Sequence, residues 1–247
     1  MTTASPLTGK CALVTGAGHR VGRAIALAVG AQGATVAVHY HGSADGARET
    51  VAMIERAGGA AALFQANLTE TEAPQRLTDA VTSAFGRIDL LVNSAASMQR
   101  TPLDTVTPAE WDAIFALNLR APFFLSLAVA KSMGDAGGVI VNISDHMGFE
   151  SWPGFVPHGV SKAAISAMTH HLAAALAPRV RVNAVAPGAV LAPASWPDAE
   201  RRQFEAETPL HRVGTPEDVA AAVCYLATAN YVTGETLFVD GGRRSAR

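Results

Sequence analysis

The fold is decided by residues 10–22, KCALVTGAGHRVG. Residues 11–15 are a short apolar run, which predicts a buried strand. Gly16 and Gly18 permit a tight turn, and the residues after Gly22 have the pattern of a helix, although the glycine spacing is not the common G-x-G-x-x-G. A strand, a glycine turn and a helix start present free backbone N–H groups and a positive dipole end to an anion. The stretch therefore predicts a turn that holds the pyrophosphate of a dinucleotide.

Outward from this stretch, apolar β-branched runs alternate with helical patterns to the end of the chain. The predicted strands are residues 11–15, 34–40, 60–66, 88–93, 138–144, 180–185 and 236–239. The predicted helices are residues 23–33, 44–57, 72–85, 111–133, 160–177 and 216–229, with Pro108 in the first turn of the fourth and Thr215 as N-cap of the last. Fully apolar strands separated by helices predict a single α/β domain whose parallel sheet is covered on both faces. Residues 187–212 are the one long irregular stretch, which we interpret as a substrate lid.

The composition narrows the class of protein. Of 247 residues, 49% are hydrophobic and 16% charged, which predicts a globular chain rather than a disordered one. A net charge of −2 gives no reason to expect nucleic acid or an anionic membrane as partner. The chain has no long uninterrupted apolar run and no apolar segment near its start, so we expect neither a membrane span nor a signal peptide. Cys11 and Cys224 are expected to be buried, reduced thiols of a cytoplasmic protein, and no residue cluster has metal-ligand spacing.

In parallel sheets of this kind, ligands bind at the carboxyl ends of the strands. The residues that follow each strand should therefore line one rim of the molecule. They are residues 16–22, 39–43, Asn67, residues 93–96, residues 144–145 and residues 187–188. Such a rim is long enough for an extended cofactor.

Seven short motifs occur along the chain in a fixed order. They are TGAGHRVG at 15–22, NSAA at 93–96, Asn118 in NLRAPF, NIS at 142–144, SKAA at 161–164, RVNAVAPG at 181–188 and VDGG at 239–242. On these motifs the sequence resembles the short-chain dehydrogenase/reductase family over nearly its whole length. The resemblance implies a Rossmann-like doubly wound sheet in the order 3-2-1-4-5-6-7, a nicotinamide cofactor and a homotetramer. It also implies that residues 111–133 and 158–177 form the main subunit contact.

Within this family the chain is most similar to the pteridine reductases. Arg20 stands where most members have the middle glycine of the turn, and the second strand ends in HYHGSA, close to the HYHRSA-like signature of that group. Asp145 stands where most members have the catalytic serine, as it does in pteridine reductases. At the substrate end, Met98 takes the place of the aromatic residue that would stack on a pterin.

The end of the second strand predicts the form of the cofactor. An NAD site needs a carboxylate there to hold the ribose 2′-OH, but the first acid is Asp45. A 2′-phosphate needs a guanidinium and short hydrogen-bond donors instead, so the sequence predicts NADP(H). Asn67 should lie against the adenine. The predicted cofactor-binding residues are Gly16, His19, Arg20, Val21, His39, Tyr40, His41, Ser43, Asn67, Leu68, Asn93, Ser94, Ala95, Lys162, Pro187 and Gly188.

The reaction centre departs from the family. The family pairs a tyrosine, the proton donor, with a lysine four residues later, and here Lys162 is preceded by His158. The family's serine position, thirteen residues earlier, is Asp145, and Ser144 cannot replace it because neighbouring strand residues point to opposite faces. The resemblance implies that the catalytic residues are Asn118, Asp145, His158 and Lys162. His146 is expected to point away from the site, and His170 and His171 lie along the subunit-contact helix, so these three are expected to be structural.

Two hypotheses explain the histidine. In the first, His158 is the general acid of a carbonyl or imine reduction, since an ordinary histidine has a pKa of about 6.5. In the second, the chain has lost this chemistry and keeps NADPH as a ligand of a binding or sensing module. The expected substrate-binding residues are Met98, Asp145, Trp152 and Val190, with Phe149, Phe155, Leu191 and Trp196 around them. This apolar and aromatic set predicts a small flat or hydrophobic substrate (a pterin, ketone, imine or quinone).

Overall fold

Seven parallel strands form one sheet at the centre of the molecule. They are β1 Cys11–Val14, β2 Thr35–Tyr40, β3 Ala60–Gln65, β4 Leu90–Asn93, β5 Gly138–Ile143, β6 Val180–Pro187 and β7 Thr236–Val239. The structure, a computed structural model, describes residues 5–190 and 196–246. The strand order is β3-β2-β1-β4-β5-β6-β7, and every pairing is parallel. The fold class and the strand order that the sequence predicts are confirmed.

Helices cover both faces of the sheet. They are α1 Arg20–Ala31, α2 Ala44–Arg56, α3 Ala73–Phe85, α4 Pro108–Phe115, α5 Ala121–Met133, α6 Val156–Leu176, α7 Asp198–Glu207 and α8 Pro216–Thr228. The single helix predicted at 111–133 is two α-helices joined by a π-helical turn, Ala116–Arg120. Thr215 caps α8 as predicted, through a capping box in which it and Asp218 exchange hydrogen bonds.

Alternate residues of each strand belong to two separate apolar layers. Val14 and Val38 face a layer that includes α1 and α8, whereas Leu13 and Ala37 face a layer that includes α5 and α6. All four side chains are fully buried. Burial of one such valine or leucine side chain stabilises the fold by about 1.5–3 kcal/mol. Apolar residues on both faces of every central strand explain why the strands appear in the sequence as continuous apolar runs.

The sequence predicted that residues 187–212 are irregular throughout. This prediction is wrong, because the stretch contains the helix α7. This helix has the sequence DAERRQFEAE, and its one buried residue is Phe204. A helix that buries a single side chain has almost no apolar periodicity, so the pattern could not indicate it. Residues 191–195, which include the predicted pocket residue Leu191, lie outside the described residues.

Among the described residues, one helical run has the length and composition of a membrane span. It is Pro108–Ala136, a run of 29 residues that contains an 18-residue window with a mean hydropathy of 1.7. Its apolar character has a different explanation in this fold. Leu125 and Val129 are fully buried in the layer under the sheet, while Phe124 and Leu127 are exposed on the outer face. The run is therefore a core helix with an additional apolar face.

Candidate active site

The glycine turn between β1 and α1 is shaped for a close ligand. A Cβ atom at Gly16 would lie 2.9 Å from the Cα atom of Ala95, and one at Gly22 would lie 2.2 Å from the carbonyl oxygen of Gly16. The turn therefore has no room for side chains at these positions. Within the part of the chain that the structure describes, no side chain caps the start of α1. Uncapped N–H groups in a cradle of glycines fit the pyrophosphate of a dinucleotide.

Arg20 occupies a backbone conformation that favours glycine. Its φ is +52°, in the left-handed region, where a side chain costs roughly 1–2 kcal/mol. His19 and Arg20 are exposed beside the turn, and His41 and Ser43 are exposed after β2. The two segments are adjacent, because a Cβ atom at Gly18 would lie 3.2 Å from the Cβ atom of Ser43. The structure thus brings together four of the residues that the sequence predicts to bind the cofactor.

His39 does not belong to this group, which corrects the sequence prediction. Its ring is 2% exposed. Its Nδ1 atom accepts from the backbone N–H of Gly16 at 3.2 Å, and its Nε2 atom lies 3.1 Å from the carbonyl oxygen of Ala66. Both nitrogens are therefore used within the fold, and burial lowers the pKa of His39 to about 4. His39 is a structural anchor of the glycine turn.

Several other predicted cofactor residues make their described contacts within the fold. Leu68 is buried in the core, and the buried Asn93 amide donates to Asn142 Oδ1 at 2.8 Å. The backbone N–H groups of Ser94 and Ala95 donate to the Thr15 hydroxyl at 2.9 and 3.0 Å. These contacts hold the end of β4 against the glycine turn, so this segment can form a wall of the site.

The remaining cofactor residues keep positions compatible with the prediction. Asn67 is half-buried, and its Oδ1 atom accepts from the Thr69 hydroxyl at 2.8 Å, so its amide N–H groups remain as donors for an adenine. Val21 and Tyr40 are half-buried at the edge of the core. Pro187 is the last residue of β6 and Gly188 follows it, where the Gly188 N–H donates to Val239 O at 2.9 Å.

His158 is buried at the start of α6, with its two nitrogens in different surroundings. The Nδ1 atom lies 3.0 Å from the carbonyl oxygen of Ser97. Nδ1 also lies 3.4 Å from Asn118 Nδ2, but the two hydrogens of that amide have nearer acceptors in Ser97 O and Ser161 Oγ. A carbonyl oxygen can only accept, so Nδ1 carries a hydrogen. The Nε2 atom makes no hydrogen bond within the described part of the chain and lies 3.5 Å from Asp145 Oδ2. Nε2 is therefore the nitrogen that can exchange a proton.

Asn118 holds Ser97, the residue whose carbonyl oxygen contacts His158. It lies in the π-helical turn and is 1% exposed. Its Oδ1 atom accepts from the Ser97 N–H at 2.8 Å, and its Nδ2 atom donates to the Ser97 carbonyl at 2.9 Å and to the Ser161 hydroxyl at 3.0 Å. This pair of bonds holds Ser97 in place for His158. Asn118 thus acts on the site through Ser97.

Asp145 lies between two imidazole rings. Its Oδ1 atom accepts from the Met147 N–H at 2.8 Å and lies 3.1 Å from His146 Nδ1, while Oδ2 faces His158. Burial alone would raise the pKa of Asp145, but its contacts with His146 and His158 and the backbone bond from Met147 hold the pKa well below the usual range. Asp145 is therefore a carboxylate at neutral pH.

Lys162 is buried one helical turn after His158. Its ammonium group donates to the carbonyl oxygen of Ile143 at 2.7 Å. Burial lowers the pKa of Lys162 to about 8, and the charge of Asp145 opposes that shift. The neighbouring Ser144 points away from the site, as expected, because its hydroxyl donates to the Lys162 carbonyl at 2.8 Å. The structure thus brings Asn118, Asp145, His158 and Lys162 together.

The predicted substrate residues differ from one another in exposure and in the residues that they contact. Met98 is 53% exposed at the rim, Trp152 is half-buried, and Val190 is 8% exposed and packs in the core layer. Phe149 packs edge-on against Phe238 at 4.7 Å, so it contacts β7 rather than standing free in a pocket. Trp196 contacts Phe204 of α7 at 5.3 Å.

Two residues near the site were missed by the sequence reasoning. His146 was expected to point away, yet its ring lies against Asp145 and the Pro187 carbonyl. Arg243 is 4% exposed and pairs with Glu150 at 3.2 Å and with Glu207 of α7 at 3.1 Å. His146 has no motif around it, and Arg243 acts through contacts between distant segments. Only the histidine's position next to Asp145 could have indicated it.

Comparisons with known proteins show the family of the chain. The family described as enoyl-(acyl carrier protein) reductase matches residues 16–244. The chain is 41% identical to 3beta-hydroxysteroid dehydrogenase 1 of Eggerthella lenta, over 96% of this chain and 94% of that protein.

Two solved structures are also similar. One is LugOII, a promiscuous reductase that catalyses keto-reduction at C1 during lugdunomycin biosynthesis, with 36% identity, a TM-score of 0.90 and coverage of 97% of this chain and 100% of that one. The other is the angucycline C-6 ketoreductase LanV with bound NADP, with 34% identity, a TM-score of 0.91 and coverage of 98% of each chain. The chain belongs to the short-chain dehydrogenase/reductase family and is an oxidoreductase of the type that uses a nicotinamide cofactor.

Proposed function

We propose that this oxidoreductase uses NADPH to reduce a C=O or C=N group of a small, mostly apolar or flat cyclic substrate, with His158 as the proton donor. The observation that carries the proposal is the placement of His158 Nε2. Its partner nitrogen is committed to Ser97 O, and Nε2 itself faces the carboxylate of Asp145 at 3.5 Å. A carboxylate at this distance stabilises the protonated ring, which is the form a general acid needs.

The roles of the residues follow from these contacts. A bound reduced nicotinamide supplies the hydride. The Nε2–H of protonated His158 donates its proton to the oxygen or nitrogen of the reduced group, and the ring becomes neutral. Asp145 stabilises the ring while it is charged, and Asn118 keeps Ser97 O in place for Nδ1. Lys162, held by Ile143 O, is positioned to donate to the hydroxyls of the nicotinamide ribose.

The preference for NADPH rests on the exposed group His19, Arg20, His41 and Ser43 beside the glycine turn. A guanidinium with short donors suits a phosphate, and the end of β2 offers no carboxylate for a ribose 2′-OH. The substrate class rests on Trp152 and Met98 near the reaction centre. Arg20 and Asp145 also follow the pteridine-reductase pattern. The names of the similar proteins concern keto groups and a hydroxysteroid, so ketones are the first class to test and pterins the second.

A second candidate function is an NADPH-binding or sensing module without turnover. The observation that favours it is the burial of His158, which is 2% exposed. Substrate must displace a neighbouring side chain or bring a water with it to reach Nε2. In this case the cofactor site would be intact, and the reaction centre would only stabilise the bound cofactor.

One experiment separates the two functions. NADPH oxidation is followed with aryl ketones, steroid ketones, quinones, cyclic imines, ketoacyl thioesters and pterins, and NADPH binding is measured separately by fluorescence titration. Turnover of any class establishes the reductase. Tight NADPH binding with no turnover of any class, while His158→Tyr gains turnover, establishes the binding module.

The proposal also includes a cytoplasmic homotetramer. The helices α4, α5 and α6 enclose an apolar groove lined mainly by Phe115, Leu119, Phe123, Phe124, Ala164, Ala167 and Met168. Small residues on α6 allow a second helix to approach closely. Burial raises the pKa of Cys11 to about 12 and that of Cys224 to about 11, so both remain unreactive thiols, as suits a reducing compartment.

A further inference from the structure

His146 is the residue of the site that neither the motifs nor the family pattern assign. It is 6% exposed and follows Asp145 directly. Its Nδ1 atom hydrogen-bonds to the carbonyl oxygen of Pro187 at 3.1 Å and also lies 3.1 Å from Asp145 Oδ1. Both neighbours are acceptors, so Nδ1 carries a hydrogen in every protonation state of the ring.

The carboxylate of Asp145 is therefore shared by two imidazoles. His146 lies on its Oδ1 side and His158 on its Oδ2 side, at 3.1 and 3.5 Å. We propose that His146 is a positioning residue that takes part of the Asp145 charge and thereby sets how strongly His158 holds its proton. This inference rests on the proposed role of His158 as general acid.

Two imidazole rings beside one carboxylate oppose each other's protonation. A second cation beside one carboxylate opposes protonation of the first ring, because like charges repel and both rings draw on the same anion. Burial alone would lower the pKa of His146, but Asp145, the Pro187 carbonyl and Glu150 together raise it. The pKa of His146 is thus raised above that of an ordinary histidine by the contacts of its Nδ1 side, while its Nε2 atom is buried without a hydrogen-bond partner among the described residues.

Other charged groups around the pair are identified by the structure. Lys162 of α6 interacts with Asp145, and Glu150 interacts with His146 while it is paired with Arg243. Trp152 contributes an uncharged ring, edge-on to His146 at 5.7 Å. These groups are the same in the parent and in variants at position 146, so they cancel when the variants are compared.

Two variants separate charge from structure. His146→Asn keeps a short donor for Pro187 O without the titrating ring, and His146→Leu removes both. In each full-length variant, NMR titration of the His158 ring should give a midpoint higher by about half a pH unit or more than in the parent. Cofactor-free protein suffices for this measurement. NADPH affinity should be retained in His146→Asn, because the bond to Pro187 O remains.

The same shift should appear in the kinetics, where the alkaline limb of reduction moves to higher pH in both variants. An unchanged or lowered His158 midpoint in a folded His146→Asn variant overturns the inference. If the midpoint rises but no substrate is reduced by the parent, the electrostatic coupling stands and the proposed catalytic function fails. If the parent reduces a substrate and neither readout moves, the coupling fails and the reductase stands.

Discussion

The Nδ1 atom of His158 lies 3.0 Å from the carbonyl oxygen of Ser97, and this relationship fixes the tautomer of the ring. The hydrogen on Nδ1 is held by the backbone, so any proton that His158 exchanges passes through Nε2. Asp145 faces that same atom. The site therefore presents one nitrogen of His158 that can exchange a proton, with a carboxylate beside it, which is the geometry that the proposed general acid requires.

Removal of this ring should abolish most of the turnover. We expect His158→Ala to reduce turnover of a reducible substrate at least tenfold, and by about 10² or more if the full general-acid contribution is lost. NADPH binding should persist, because Lys162 and the glycine turn are unchanged. His158→Tyr restores the family pattern and should move the alkaline limb of the pH profile upward, since a tyrosine titrates near pH 10. Parental turnover in His158→Ala would assign the proton to Asp145 or water.

Arg20 should lower the stability of the free protein and create its preference for NADPH. Because its φ is +52°, Arg20→Gly removes backbone strain and should stabilise the free protein by about 1 kcal/mol. The same change removes the guanidinium from the phosphate group, so a preference for NADPH over NADH of about tenfold or more should largely disappear. Thermal unfolding and fluorescence titration measure the two effects. Equal affinities for the two cofactors in the parent would contradict the phosphate assignment.

His39 should make the fold sensitive to acid. Burial lowers its pKa from 6.5 to about 4. The unfolded chain therefore takes up a proton first as pH falls, and stability is lost progressively between pH 6.5 and 4, by about 3 kcal/mol at most.

His39→Asn provides the control for this effect. It keeps an acceptor for the Gly16 N–H but does not titrate, so its urea-unfolding free energy should change less over that pH range. Its stability at pH 7 should be lower by about 1 kcal/mol, because the bond to Ala66 is lost. Asp145 and His146 titrate in both proteins. Parallel pH curves for parent and variant would show that His39 is not the sensitive group.

The groove along α6 should be a subunit contact. We expect the parent to be a tetramer in light scattering at micromolar concentration and Ala167→Glu to be a smaller species, because the substitution places a charge in the apolar groove. Ala80→Glu on the exposed face of α3 is the matched control and should leave the assembly unchanged. A parent protein that is monomeric would refute the proposed assembly, whatever the variants do.

The central strands could be predicted from the sequence because they are apolar on both faces. Leu13 and Val14 show why, since neighbours that point to opposite layers are both buried. The helix α7 could not be predicted, because only Phe204 is buried and its other residues interact with solvent or with side chains on distant segments. Periodicity reports burial, so an element that buries little leaves no pattern.

The candidate site was predictable only where spacing determines direction. His158 and Lys162 share a helical face because they are four residues apart, and the sequence reasoning brought them together. His39 was assigned to the rim because it ends a strand, but its buried hydrogen bonds to Gly16 and Ala66 depend on two neighbouring segments. The direction of the His146 side chain could not be predicted from the alternation of side chains along a strand, because a short 3-10 helix, His146–Gly148, begins at this residue.

The π-helical turn Ala116–Arg120 determines how α5 is rotated relative to α4, so the number of residues in this turn matters for the packing of both helices. Asn118 stands in the same inward row as Ile114 before it and Leu125 after it, all buried. Loss or gain of one residue in the turn would rotate α5 by about 100° relative to α4. Either Asn118 would leave Ser97 or Leu125 would leave the core. The turn therefore ties the geometry of the candidate site to the packing of the domain, and a change of chain length here would disturb both.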